Sequence, residues 1–203
     1  MQKQIWKPGT MIYPLPAVMV SCGSDPSEYN IITISWTGTI CTDPAMCYIS
    51  VRPGRHSYEI IRKNREYVIN LTTSELAFAT DWCGVKSGKK HNKFSEMGLT
   101  PVPASKVKAP MIAESPVNIE CIVKDILELG THHMFISEVV AVNASEEYFD
   151  SKTGLFRLDK ARPISYIHGK YYDTGSYIGK FGFSVEKKKK KKKSDGRNVS
   201  KEK

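Results

Sequence analysis

Hydroxyl side chains and one glycine are concentrated in the stretch NIITISWTGTICT, residues 30–42. If this stretch begins as a strand, alternation places its hydroxyls on one face and isoleucines on the other. A glycine within the run lets a ligand approach the backbone closely. The residues concerned are Thr33, Ser35, Trp36, Thr37, Gly38 and Thr39. Such a surface can satisfy the polar edge of a flat heteroaromatic ring, although threonine is also common on solvent-facing strands.

The stretch RPGRHSYEI follows, and it is a cationic turn ahead of a predicted helix. It supplies Arg52, Arg55, His56 and Ser57. The start of a helix offers unpaired backbone N–H groups, and with added positive charge these form a site for a phosphate-sized anion. The open alternative is that Ser57 or His56 only caps the helix while the arginines are solvated.

A later loop, GVKSGKKHNKF over residues 84–94, combines two glycines with Ser87 and four lysines, among them Lys93. Backbone N–H groups in such a loop can close over a phosphate. A cationic surface loop has the same composition, so this stretch alone does not choose between the two interpretations.

Hydrophobic patterning predicts mainly strands. The predicted strands cover residues 17–23, 29–36, 45–52, 66–71, 117–129 and 132–144, and the tight Gly130-Thr131 link makes the last two a hairpin. Helices are predicted over 56–64, over 74–84 with Ser74 as the N-cap, and briefly around 89–98. Many strands with few helices indicate an antiparallel barrel or sandwich. A doubly wound nucleotide-binding sheet is disfavoured, because no glycine-rich phosphate fingerprint is present.

The net charge of +9 is unevenly distributed. Residues 186–203 carry nine Lys and one Arg against three acidic residues, which leaves 20 cations and 18 anions for the rest of the chain. The lysine run over residues 187–193 repels itself and has nothing apolar to bury, so a disordered tail is expected after a folded domain of residues 1–185. The alternative is an arm that binds polyanions in a salt-dependent way.

The five cysteines include no C-x-x-C pair, so neither a disulfide framework nor a metal site is expected. Pro8, Pro14 and Pro16 interrupt the apolar part of the N-terminus, so no signal peptide is predicted. No run approaches the roughly 20 apolar residues of a membrane helix. A cytoplasmic location is therefore expected.

Several segments in order resemble the flavin reductase-like, flavoredoxin-type proteins of the FMN-binding split-barrel fold. The segments are PLPAVMVSC, NIITISWTGTICTDPAMCYISVRPGRHSYEII, EYVINL, DWCGVKSGKKHNKF, GTHHMFISEVV and PISYIHGKYYDTGSYIGKFGFS. The resemblance covers roughly residues 6–184. The resemblance implies a mainly β, antiparallel split barrel with a few short helices.

The resemblance also implies a cofactor and its site. In that family FMN lies at a homodimer interface. The segment from Thr33 to Thr39 would follow the isoalloxazine and ribityl chain. The phosphate would be received by Arg52, Arg55, His56 and Ser57, with Ser87 and Lys93 as further candidates. His132 matches a histidine that many family reductases carry near the flavin, but here Thr131 replaces a common acid and His133 stands beside it. Which histidine faces the flavin stays open.

The activity implied by the resemblance is that of an oxidoreductase. Hydride from NADH or NADPH would reduce the flavin, and the electrons would pass to free flavin, another small acceptor or a protein partner. Two alternatives remain open at this point. One is an FMN electron carrier that does not itself oxidise nicotinamide, and the other is a polyanion-binding module acting through the Lys-rich tail. Neither a membrane nor a specific nucleic acid is expected as a partner.

Overall fold

The computed structural model describes residues 1–185, and the predicted Lys-rich tail lies outside these residues. In chain order the strands are β1 (Leu15–Pro16), β2 (Val18–Cys22), β3 (Asn30–Ile34), β4 (Thr37–Thr42), β5 (Ala45–Val51), β6 (Glu66–Leu71), β7 (Pro101–Val102), β8 (Met111–Ile112), β9 (Val117–Leu129), β10 (His132–Ala144), β11 (Ile164–Ile167) and β12 (Lys170–Asp173). The α-helices are α1 (His56–Asn64), α2 (Ala77–Val85) and α3 (Lys93–Glu96).

The main sheet has seven antiparallel strands in the order β3-β2-β6-β9-β10-β5-β4. Its edge strands, β3 and β4, are consecutive in the chain and are joined only by Ser35 and Trp36. A link this short spans roughly 10 Å, so the sheet must curl until its two edges meet. The fold is therefore the predicted antiparallel barrel, and it is split between β3 and β4.

Strand β2 is buried along its whole length because both faces of the sheet are covered there. Alternate residues such as Val18 and Val20 point into the barrel interior, where they join a cluster that includes Tyr67 and Phe135. The intervening Met19 packs in a second cluster outside the barrel, beneath α2 and α3. This double burial explains the continuous apolar run in the sequence.

Helix α1 has the predicted bounds and follows the Arg52-Pro53-Gly54 turn. Its N-cap is Arg55, whose extended backbone makes no side-chain capping bond. The helix ends where Arg65 turns left-handed at φ 58° and donates its N–H to the Ile61 carbonyl. Its buried face carries Ser57, Tyr58 and Ile61, so Ser57 lies inside the helix and is directed at the body of the protein.

The prediction that Ser74 caps α2 is wrong, since the helix begins three residues later at Ala77. The Ser74 hydroxyl instead contacts the Asp173 carboxylate and lies 3.4 Å from the Arg162 carbonyl oxygen. Strand β12, which ends at Asp173, belongs to a small sheet of order β1-β11-β12. Ser74 therefore connects the segment just before α2 with this second sheet. Local capping rules do not predict such a long-range contact.

The predicted strand over residues 29–36 is shorter in the structure, and a separate strand, β4, begins at Thr37. The strand is interrupted at Ser35 and Trp36, because β3 pairs with β2 whereas β4 pairs with β5 on the opposite side of the split. Strand β6 and the β9–β10 hairpin have their predicted bounds. The five cysteines are free thiols.

Candidate functional site

Two adjoining cavities lie at the split of the barrel. The large cavity has a volume of about 460 Å³. It is lined by Ile32, Thr33, Ile34, Ser35, Trp36, Ser50, Val51, Arg52, Arg55, Asp81, Gly84, Val85, His132, Tyr166, Gly169 and Tyr171. The small cavity has a volume of about 160 Å³. It is lined by Asn30, Ile32, Gly54, Arg55, His56, Ser57, Cys83, Gly84, Lys86, Ser87, Gly88 and Lys93. Ile32, Arg55 and Gly84 border both.

The end of β3 and the link to β4 form one wall of the large cavity. Thr33 is fixed there because its hydroxyl donates to the Thr80 carbonyl and its side chain packs against Gly84. A Cβ at Gly84 would lie 3.1 Å from the Thr33 Cβ, so α2 approaches β3 closely at this point. Trp36 is 42% exposed at the other end of the wall. This wall therefore offers backbone and hydroxyl groups beside an exposed aromatic ring.

The rest of the predicted hydroxyl stripe does not border either cavity. Thr37 is buried and its hydroxyl donates to the Tyr48 carbonyl oxygen at 2.7 Å. Gly38 faces the ring of Tyr48, and Thr39 is exposed on β4. The stripe is divided at Trp36 because the two strands belong to opposite edges of the sheet, so only Thr33, Ser35 and Trp36 are brought to the cavity wall.

Buried polar groups line the small cavity. The Asn30 amide donates to the Ser57 hydroxyl oxygen at 2.7 Å. Because Ser57 accepts this bond, its own O–H can donate to another group. Gly88 packs directly against Asn30, since a Cβ there would come within 2.2 Å of Asn30 Oδ1. The loop after α2 thus holds the Asn30–Ser57 pair in place.

Lys93 is 3% exposed, and its ammonium donates to the carbonyl oxygens of Ile31 at 2.7 Å and Cys83 at 2.6 Å. An ammonium has three donors, so one remains for an acceptor in the small cavity. Burial lowers the pKa of Lys93, and the charge on Arg55 lowers it further. Desolvation also lowers the pKa of His56, with a contribution from Lys89 and Lys93. The smaller contributions from Arg55, Lys89 and Lys93 show that positive charges lie close together here, and a bound anion would relieve their repulsion.

His132 borders the large cavity, whereas His133 does not. The His132 ring packs edge-on against Trp36, with centroids 4.9 Å apart. Its pKa is lowered by desolvation first and then by Arg52 and Arg55, so the ring is held neutral near neutral pH. His133 is engaged elsewhere, because its Nδ1 lies 2.7 Å from the Tyr58 hydroxyl.

A family model for the flavin reductase like domain matches residues 10–175 of the chain. The chain belongs to this family. The structure of flavoredoxin from Desulfovibrio vulgaris (Miyazaki F) is similar, with a TM-score of 0.83 and 28% identity over 91% of this chain and all of that one. Flavoredoxin from Methanosarcina acetivorans gives a TM-score of 0.81 and 26% identity over 92% of this chain and all of that one.

One curated relative carries a reductase name. It is the reductase component of 4-nitrophenol 4-monooxygenase/4-nitrocatechol 2-monooxygenase from Rhodococcus opacus. It is 27% identical over 75% of this chain and 71% of the relative. The chain is therefore similar to two proteins named as flavoredoxins and to one named as a monooxygenase reductase component.

The two cavities also contain residues that were not among the candidates taken from the sequence. They are Asn30, Asp81, Gly84, Tyr166, Gly169 and Tyr171. Asn30 stands at the head of the hydroxyl-rich stretch, so its polarity ahead of an isoleucine run was an available signal. Tyr166 and Tyr171 come from β11 and β12, and only tertiary packing brings that hairpin to the cavity.

No cluster of three or more His, Cys, Asp or Glu side chains that could hold a metal ion occurs within residues 1–185. In the same part of the chain, no helix has the length and apolar character required to cross a membrane.

Proposed function

We propose that the protein is an FMN-binding oxidoreductase of the NAD(P)H-dependent flavin reductase type, which passes electrons from a nicotinamide through the flavin to a small or protein acceptor. The observation that carries this proposal is the junction of the two cavities at Ile32, Arg55 and Gly84. The large cavity has room for a planar ring system, and the cationic small cavity suits an anionic group. FMN carries both groups in one molecule, a flavin ring and a phosphate.

The small cavity fits a single phosphate. The Ser57 hydroxyl can donate to a ligand oxygen, Lys93 has one remaining N–H donor, and Arg55 supplies a guanidinium at the junction. Among the described residues that line this cavity, none is acidic. Its volume of about 160 Å³ suits one phosphate better than a dinucleotide's pyrophosphate and second nucleoside, so FMN is favoured over FAD.

The large cavity fits the flavin ring. Backbone and hydroxyl groups of the β3 wall can satisfy the polar ring edge, and Arg52 supplies positive charge beside it. When bound, the flavin supplies the hydride-accepting chemistry, while the protein supplies binding, orientation and electrostatics. His132 Nδ1 lies 3.0 Å from the Thr131 hydroxyl, which leaves Nε2 of its neutral ring for proton exchange at the cavity.

The proposal includes a homodimer whose second copy completes the site. The large cavity opens beside the exposed side chain of Trp36, and Ile40 on the adjoining edge strand is 46% exposed. Apolar side chains of this kind beside an open cavity are typical of a surface that a partner covers. The family resemblance supports a second copy of this chain as that partner.

An electron-transfer role without nicotinamide oxidation is the second candidate. It is favoured by the similarity to the Desulfovibrio flavoredoxin, at a TM-score of 0.83. Both candidates use the same flavin site, because a nicotinamide can stack on the flavin without a binding motif of its own. A polyanion-binding module acting through the tail is the least favoured function, since it leaves the two cavities without a role.

Anaerobic mixing of the flavin-loaded, full-length protein with NADH and with NADPH tests the proposal. The expected result is loss of the flavin absorbance bands with at least one nucleotide. If dithionite bleaches the flavin and neither nucleotide does, the reductase activity is wrong and the electron-transfer role is favoured. A preparation that holds no flavin after incubation with FMN would contradict both.

A further inference from the structure

Asp81 is the acidic residue among the described side chains that line the large cavity. It lies on α2, three residues before Gly84. Three residues of α-helix rise about 4.5 Å, so Asp81 is one turn from the junction of the two cavities. Within residues 1–185 its carboxylate forms no ion pair with a lysine or arginine. A carboxylate accepts hydrogen bonds and cannot donate them, so this wall suits a ligand with donor groups.

Tyr171 orients this carboxylate. The Tyr171 hydroxyl donates to Asp81 Oδ1 at 3.1 Å, and the ring of Tyr166 packs edge-on against Tyr171 with centroids 5.7 Å apart. Burial raises the pKa of Tyr171 to about 12, and the Asp81 charge adds to the shift, so the phenol stays protonated as a donor. This contact uses Oδ1 and leaves Oδ2 for other donors.

The junction is where the chain connecting a ring to a phosphate must pass. Gly84 has no side chain there, and it packs closely against Thr33. In FMN the connecting chain is ribityl, whose hydroxyl groups are hydrogen-bond donors. Arg55 borders both cavities, so its charge offsets the repulsion between the carboxylate and the phosphate.

We propose that Asp81, held by Tyr171, accepts hydrogen bonds from the ribityl hydroxyls and so selects flavins that carry this sugar-alcohol chain. The inference rests on the proposed flavin site. It assigns a recognition role to α2 and to the β11–β12 hairpin, beyond the strand and turn predicted from the sequence. Hydrogen bonds to a charged acceptor are stronger than those between neutral groups, so the effect on affinity is measurable.

The test compares riboflavin with lumiflavin, which has the same ring system but a methyl group in place of the ribityl chain. Both lack a phosphate, so the small cavity does not contribute to the difference. Full-length protein freed of flavin is titrated with each ligand by flavin fluorescence. The wild type is expected to bind riboflavin more tightly. Asp81→Ala should weaken riboflavin by about tenfold and leave lumiflavin unchanged.

Three further variants sharpen the comparison. Asp81→Asn keeps an acceptor and the side-chain shape, so its riboflavin affinity should fall between those of the wild type and Asp81→Ala. Tyr171→Phe keeps the ring but removes the hydroxyl that holds the carboxylate, so it should also weaken riboflavin selectively. Glu75→Gln is the matched control, because Glu75 is an exposed acid just before the same helix and borders neither cavity.

Each outcome is decisive. Equal losses for riboflavin and lumiflavin in Asp81→Asn would show that Asp81 acts only by holding the β11–β12 hairpin, which overturns the inference. Unchanged riboflavin affinity in Asp81→Ala, or a wild type that binds both ligands equally, would also overturn it while leaving the flavin site intact. A wild type that binds neither FMN nor riboflavin would contradict the proposed function itself.

Discussion

Ser57 and Arg55 are the residues on which phosphate recognition depends in this account. Ser57 is buried and accepts a hydrogen bond from the Asn30 amide, so its hydroxyl can act as a donor to a ligand oxygen. Arg55 is the N-cap of α1 and borders both cavities. Since Ser57 lies inside the helix and is not its cap, removing its hydroxyl should affect the ligand more than the helix.

Replacing Arg55 and Ser57 together by Ala should weaken FMN by roughly tenfold to several hundredfold, because one or two hydrogen bonds to a charged group are lost. Riboflavin should bind nearly as before, since it presents the same ring without the phosphate. Titration of flavin-free protein at matched salt measures both. Arg62→Ala, in the exposed last turn of the same helix, is the control. Equal losses for the two flavins would mean that this turn is not the phosphate site.

His56 and His132 should make the flavin-free protein sensitive to acid. Their pKa values are lowered from 6.5 in the folded state, first by desolvation. Above pH 6.5 both folded and unfolded chains hold them neutral. Below it the unfolded chain takes up protons first, so the free energy of unfolding falls as the pH falls. The melting temperature should therefore drop as the pH falls below 6.5, and the drop should be smaller in His56→Gln/His132→Gln. The same drop in both proteins would contradict the assignment.

At the scale of elements, the loop between α2 and α3 packs behind the small cavity, the proposed phosphate site. Gly88 is the contact point, because a Cβ there would come within 2.2 Å of Asn30 Oδ1. To accommodate a Cβ at Gly88, the loop backbone would have to shift or the Asn30 amide would have to give up its hydrogen bond to Ser57. The wall of the small cavity thus depends on a residue that has no side chain of its own.

Gly88→Ala is expected to weaken FMN binding by about tenfold. The added Cβ displaces Asn30, which donates a hydrogen bond to Ser57, and Ser57 is the residue proposed to contact the phosphate. It should have a much smaller effect on riboflavin. Fluorescence titration gives both affinities, and circular dichroism confirms that the fold is retained. The control is Gly9→Ala, because an added Cβ at Gly9 meets no atom within 4 Å. An FMN affinity equal to that of the wild type would show that the loop backbone shifts to accommodate the added Cβ without displacing Asn30.

Much of the element structure could be predicted because it depends on local pattern. The α1 helix, β6 and the β9–β10 hairpin have apolar periodicity and turn residues that specify their bounds. The break between β3 and β4 could not be predicted in this way, since a continuous period-two pattern runs through it. It arises because the barrel is split there and the two halves of the stretch pair with different strands.

The same distinction holds for the site. Residues close in sequence, such as Arg55 and Ser57, both line the small cavity because one turn and helix carry them. Asp81 and Tyr171 meet across ninety positions of sequence, through the packing of a hairpin on a helix. No local spacing predicts that contact. Thr37 fits the predicted hydroxyl pattern but does not reach either cavity, because its hydroxyl donates to the Tyr48 carbonyl oxygen inside the sheet.

At the scale of the whole molecule, the net charge of +9 is unevenly distributed along the sequence. Residues 187–203 carry most of the net charge, and the cavities belong to the body of the chain. Deleting residues 187–203 should leave flavin content and melting temperature nearly unchanged, because a charged terminal run contributes little to a core. Retention on heparin should fall, since fewer counterions are released on binding. A truncated chain that fails to fold would show that the tail supports the domain.

The central claim is that one chain holds one FMN, within a homodimer, through the two joined cavities. Native mass spectrometry of the full-length protein, purified and then incubated with equal FMN and FAD, tests this claim most directly. We expect a dimer that carries two FMN molecules, and a shift to flavin-depleted dimer in the Arg55→Ala/Ser57→Ala variant. A flavin-bearing monomer, a dimer that takes FAD in preference to FMN, or a chain that retains no flavin would contradict it.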